Sequence, residues 1–115
     1  MKLGDVVEAL DLQVRTGRDR MDREVVGGYV SDLLSDVIAG AQDGDLWITL
    51  QLHQNIVAVA FLNNLAGIVI VGGREPDGET IEKAEDQDIP LLITSMTAYE
   101  LAGRLYEMGV RREEE

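Results

Sequence analysis

The sequence predicts an α/β fold: a mostly parallel sheet of about four strands with helices on both faces. Three observations predict it. Short apolar runs rich in β-branched residues recur along the chain, amphipathic segments with helical spacing alternate with them, and glycines punctuate the changes. That alternation implies parallel strands joined by crossover helices. With 115 residues, 45% of them hydrophobic, the chain suits one domain over residues 1–115.

Each element has its own signal. Leu3, Val6, Val7 and Leu10 place a short amphipathic helix within residues 1–10, and Leu12-Gln13-Val14 reads as a first strand. Residues 15–24, with Arg15, Arg18, Arg20 and Arg23 among acidic neighbours, have no apolar period and read as an exposed charged loop. After Gly27-Gly28, the positions Tyr29, Val30, Leu33, Leu34, Val37, Ile38 and Ala41 share one helical face, which predicts a helix over 29–41. Asp43-Gly44-Asp45 ends it.

Residues 46–51 form the next strand, and 56–62 follow as a helix without a polar face. Such a helix needs cover beyond its sheet. A homodimer interface through Ile56, Val59, Ala60 and Leu62 would supply it, as would burial under the N-terminal helix. Residues 66–71 are continuously apolar, the mark of a central parallel strand buried on both faces. Pro76 and the acidic Asp77 and Glu79 suit the entry of a peripheral helix that runs to about residue 86. Residues 89–94 make the next strand; Thr97, with Glu100 three residues on, N-caps a last helix that Gly109 closes. Residues 110–115 read as a frayed polar tail.

Composition narrows the function. A formal charge of −12 disfavours nucleic acid, whose affinity depends on Lys and Arg contacts. Cysteine is absent, which removes disulfides and thiolate chemistry, and with a single histidine no transition-metal site or cofactor is expected. No apolar leader or membrane-length run is present, so a cytoplasmic location is expected.

The two glycine pairs are the chief pointers to a site. Each stands between a β-type run and a helical pattern, where open α/β sheets bind ligands beside helix N-termini. The candidate ligand-binding residues are Gly27, Gly28, Gln51, His53, Gln54, Asn55, Gly72, Gly73 and Thr94. A small anionic or nucleotide-like ligand would suit amide donors and one imidazole there. No Gly-x-x-x-x-Gly-Lys loop and no nucleophile–base pair is present, and Asp32 and Asp36 read as a solvated helix face. Catalysis is therefore not expected, and no residue is assigned a catalytic role. The chain reads as a regulatory or ligand-sensing domain, or alternatively as a homodimerising module that docks on a larger metabolic or redox enzyme.

The stretches Gly28-Tyr29-Val30-Ser31-Asp32-Leu33-Leu34-Ser35-Asp36 and Ile68-Val69-Ile70-Val71-Gly72-Gly73-Arg74-Glu75-Pro76-Asp77 resemble the DRTGG domain family. The resemblance implies the fold of the non-catalytic N-terminal domain of HPr kinase/phosphorylase and a regulatory or assembly role. In the family pattern Gly-Asp-Arg follows one strand and Thr-Gly-Gly the next. Here those positions read Gln51-Leu52-His53 and Val71-Gly72-Gly73, so the glycine pair is kept and the Asp-Arg pair is not.

Overall fold

The structure is a computed structural model that describes residues 1–112. Helix α1 (Leu3–Leu10) leads into β1 (Gln13–Thr16), and a 3-10 turn, Arg18–Arg20, follows. Then come β2 (Gly27–Val30), α2 (Leu34–Gly40), β3 (Asp45–Thr49), α3 (Asn55–Leu62), β4 (Gly67–Ile70), α4 (Gly78–Gln87), β5 (Leu91–Ile93) and α5 (Ala98–Glu107). The five strands form one sheet in the order β1-β5-β4-β3-β2, with β1 antiparallel to β5 and all other pairs parallel. The α/β class with helices on both faces is as expected, with one strand more than the sequence indicates.

The extra strand is β2. Residues 29 and 30 continue from Gly27-Gly28 as strand, in register with Trp47 and Ile48, and the helix expected over 29–41 shrinks to Leu34–Gly40. The helical spacing of 29–41 is real, but side-chain hydrogen bonds at its start favour a turn. The Ser31 carbonyl accepts the Trp47 indole N–H at 2.8 Å, Ser31 Oγ accepts the Leu33 N–H at 3.2 Å, and Asp32 caps the end of β3. Helix α2 starts only after these bonds are made.

Alternation along the strands divides the core in two. Trp47, Ile68, Ile70 and Leu91 meet α2, α3 and α4 on one face; Leu46, Ile48, Val69 and Leu92 meet α1 and α5 on the other. Helix α3 lies between α2 and α4, and its Ile56, Val59 and Ala60 are buried in the core within this one chain. That corrects the expected interface. Of its four residues only Leu62 is exposed, together with Phe61, because the flanking helices and the sheet already cover the rest.

The charged loop is also more ordered than its composition suggests. Arg20 pairs with Asp88 at 2.7 Å, and Arg23 donates to the Asn64 carbonyl at 2.7 Å, so the loop is tied to the ends of α4 and α3. The expected N-cap is present, with Thr97 Oγ1 accepting the Glu100 N–H at 3.2 Å. The tail docks in its first part: Val110 is buried, and Arg112 reaches the Asp45 carboxylate at 2.8 Å. The remainder of the expected frayed tail, residues 113–115, lies outside the described residues.

Candidate functional site

Chain direction sorts the candidate residues into two groups. Gln51, His53, Gln54 and Asn55 follow β3, Gly72 and Gly73 follow β4, and Thr94 follows β5, so all seven stand at the carboxyl ends of adjacent parallel strands. Gly27 and Gly28 do not join them. They begin β2, opposite Asp45 and Leu46 at the start of β3, at the far end of the sheet. Gly27 is required there by a close approach: a Cβ would stand 2.9 Å from Asp45 Oδ1 and 3.1 Å from Arg112 Cγ. The sequence expectation of two converging glycine turns is thereby corrected.

The carboxyl edge holds a topological switch point. The chain leaves β4 for α4 on one face of the sheet and leaves the neighbouring β5 for α5 on the other, the arrangement beside which open α/β sheets ordinarily bind ligands. The two loops are laced together there. Gly72 N–H donates to Met96 O at 2.8 Å and Gly73 N–H to Thr94 O at 3.0 Å. These amides are therefore spent within the protein and are not free donors for an anion. Both glycines have positive φ, +77° and +71°, which favours glycine at each. Among the described residues nothing lies within 4 Å of where a Gly73 Cβ would stand, so the ledge above it is bare.

Around this ledge the polar groups are mostly paired. Asp32, beyond the end of β2, accepts from Thr49 Oγ1 at 2.8 Å and from the Leu50 N–H at 2.7 Å, while its carbonyl accepts from Gln51 Nε2 at 2.8 Å. His53 Nδ1 lies 2.7 Å from Asp77 Oδ2 and carries the proton when Asp77 is ionised, which leaves Nε2 as an acceptor in the neutral ring. Gln54 Nε2 donates to Glu79 at 3.3 Å, and Asn55 opens α3 with its side chain exposed. Arg74 is exposed and has no ion-pair or hydrogen-bond partner among the described residues. Beside Thr94, an open groove of about 360 Å³ runs between β1 and α5, lined by Gln13, Ser95, Met96, Glu100 and Arg104 among others.

Arg15 closes one side of the site. Its guanidinium grips Glu75 through both oxygens, at 2.6 and 3.3 Å. The hydrogen bond from Arg15 holds the Glu75 carboxyl below its ordinary range. A lowered carboxyl pKa stabilises the fold at pH above the unfolded value, and that contribution fades as pH falls through the folded value. Both side chains are substantially exposed, so the effect on stability is small. An NMR titration of the Glu75 side chain is expected to show a midpoint below that of a free glutamate, and Arg15→Gln should return it to the ordinary range. An unmoved midpoint in that variant would refute the assignment of the cause.

The residues that sequence reasoning misses are Asp32, Arg74 and Asp77. The helical spacing of 29–41 puts Asp32 on a helix face because it takes β2 into the same helix; Arg74 and Asp77 sit in a polar loop with no period to single them out. Among the described residues no three His, Asp or Glu side chains gather as a metal ion would need, and no helix is long and apolar enough to cross a membrane.

Comparison with known families decides the relationship. The DRTGG domain pattern matches residues 5–108. The chain belongs to the DRTGG domain family. The match takes in β2 and the loops after β4 and β5, and it extends beyond the stretches on which the sequence resemblance rests. Among solved structures, this DRTGG domain is similar to the CBS and DRTGG domains of the regulatory region of Clostridium perfringens pyrophosphatase, a structure complexed with the activator diadenosine tetraphosphate. The TM-score is 0.71 at 19% identity, and the alignment covers 90% of this chain and 45% of that one. This likeness shows the shared fold. The chain spans less than half of that regulatory region, and the search of curated proteins returns no match.

Proposed function

We propose that this DRTGG domain is a non-catalytic regulatory domain that senses a small anionic or nucleotide-like ligand at the carboxyl edge of its sheet. The observation that carries the reading is the bare ledge at Gly73, with an exposed Arg74 beside it that has no ion-pair or hydrogen-bond partner among the described residues, where the loops after β4 and β5 diverge. A phosphate would meet the Arg74 guanidinium as its charge partner, since the glycine amides are already committed. A sugar or base would have the amides of Gln54 and Asn55 and the Nε2 of His53 within the same row of loops. The family supports a regulatory role, and the pyrophosphatase region with its dinucleotide activator supports a nucleotide as the first class to try.

The test is a melting-temperature screen with adenine and guanine nucleotides, dinucleoside polyphosphates and phosphorylated metabolites. A ligand at about a hundred times its dissociation constant adds about 2.7 kcal/mol of stability. At least one compound is expected to raise the transition in a concentration-dependent way, and Arg74→Ala and Gly72→Val should each abolish that rise. A flat response across the panel, or a response that neither variant changes, would overturn the reading.

A second reading is that the domain also acts as a homodimer that docks on a larger enzyme. The observation favouring it is exposed apolar surface: Val30, Leu33, Ile38, Phe61 and Leu62 all lie open to solvent.

A further inference from the structure

The free edge of the sheet at β2 differs from the rest of the surface. Residues 25–30 read Val-Val-Gly-Gly-Tyr-Val, uncharged throughout, in a chain of which 28% is charged. β2 pairs with β3 on one side, and among the described residues no strand pairs its other side. Ser31, just after the strand, donates its N–H inward to Ile48 O at 3.2 Å, so alternation back along β2 turns the N–H and C=O of Val30 and Gly28 outward and those of Tyr29 toward β3.

Sheets ordinarily protect a free edge with charge, proline or a bulge, because unpaired N–H and C=O groups invite another strand. The opposite edge does so. β1 carries Arg15 and an irregular register between Val14 and Thr16. β2 has none of these devices. An open cavity of about 440 Å³ lies along it instead, with Val30, Ile48, Leu105, Tyr106 and Val110 in its lining. Val30 is 54% exposed at its rim. At Gly28 the floor is bare backbone: among the described residues only the Leu46 carbonyl comes within 4 Å of where a Cβ would stand, at 3.8 Å.

We propose that this edge pairs with the same edge of a second copy of the chain, antiparallel about a two-fold axis at Tyr29. The proposal rests on the homodimer reading above and says which surface makes the dimer. With Tyr29 opposite the partner's Tyr29, the outward N–H and C=O groups of Gly28 and Val30 exchange hydrogen bonds with those of the partner's Val30 and the partner's Gly28. Val30 then stands opposite the partner's Gly28, and Gly28 opposite the partner's Val30. An exposed valine thus seats over bare glycine backbone twice, the self-complementarity that a two-fold interface demands. An unrelated extended peptide would meet the same N–H groups, but the valine-over-glycine match needs this strand on both sides. Tyr29, on the axis, is held within its own chain, its hydroxyl donating to the Asp36 carboxylate at 3.0 Å. Each copy carries a charge of −12, so association should tighten as added salt screens the repulsion.

The experiment is sedimentation equilibrium of the full chain across the micromolar range, with circular dichroism to confirm folding. The parent is expected to be a dimer. Val30→Lys and Gly28→Val should each weaken association by about tenfold or more, while Leu62→Lys leaves it unchanged. Gly28→Val is informative because it adds apolar surface and β-propensity yet fills the space the partner's Val30 requires. A dimer broken by Leu62→Lys and untouched by both β2 variants would overturn this interface and leave the homodimer reading standing. A parent chain that stays monomeric would overturn both.

Discussion

Arg112→Ala is expected to destabilise the domain by about 2–3 kcal/mol, a fall of roughly ten degrees or more in melting temperature for a chain of this size. The reason lies at Asp45, whose side chain is only 4% exposed. Its two oxygens are shared between the Gln42 N–H and the Arg112 guanidinium, each at 2.8 Å. Removing the guanidinium leaves a buried carboxylate with one backbone donor and no counter-charge. Breaking a buried pair from one side usually costs about 3–5 kcal/mol. The smaller loss expected at this pair reflects an Arg112 that is one-third exposed and a carboxylate that keeps its N–H partner. Asp45→Asn with Arg112→Ala should recover part of the loss, because the double variant leaves no charge stranded. Urea denaturation of the four proteins in this cycle measures the coupling; additive losses from the two single changes would refute it.

The Asp45–Arg112 pair also explains what the sequence hid. Gly27-Gly28 and Gly72-Gly73 look alike as strings, and the helical spacing after the first pair supports reading both as strand-to-helix turns. Only the second is one. Gly72 and Gly73 adopt positive φ at the end of β4, whereas Gly27 is small because Asp45 and Arg112 pass beside it. That contact joins residues far apart in the chain, and nothing local signals it.

The same distinction runs through the fold. Elements set by local pattern were legible: the apolar run of β4, the Thr97 cap of α5, and the alternation that gives a parallel sheet. β2 was not, because its Tyr29 and Val30 belong to a helical pattern that tertiary hydrogen bonds from Trp47 and to Asp32 override. Helix α3 shows the matching limit for surfaces. A helix apolar all round must be covered, but sequence alone does not say whether α2 and α4 or a second copy covers it. At the site, the glycine ledge and the loop after β3 were readable as turn chemistry. Arg74 was not, because its importance comes from having no partner among the described residues, a property only the folded chain defines.

Gly17→Ala is expected to cost about 3 kcal/mol, and a comparison with Gly73→Ala separates its two causes. Both glycines have left-handed backbone, φ +83° at Gly17 and +71° at Gly73, so each alanine incurs a penalty of about 1–2 kcal/mol. At Gly73 that is the whole effect, since a methyl group there meets open space. At Gly17 the methyl would stand 2.6 Å from Pro90 Cα and 2.9 Å from Pro90 Cβ, against backbone that cannot swing aside. Overpacking of this kind adds about 1–3 kcal/mol. Relief requires the chain after β1 to pull away from β5, which would strain the buried hydrogen bond from Thr16 Oγ1 to the Ile89 carbonyl, 2.7 Å long. It would also displace the turn that carries Arg20 to Asp88. In urea titrations Gly17→Ala should therefore lose at least about 1 kcal/mol more than Gly73→Ala. The same variant should free the amides of residues 18–23 to faster hydrogen exchange, while Gly73→Ala leaves them protected. Equal losses in the two variants would mean that the backbone conformation alone sets the cost and that the approach of Pro90 contributes nothing.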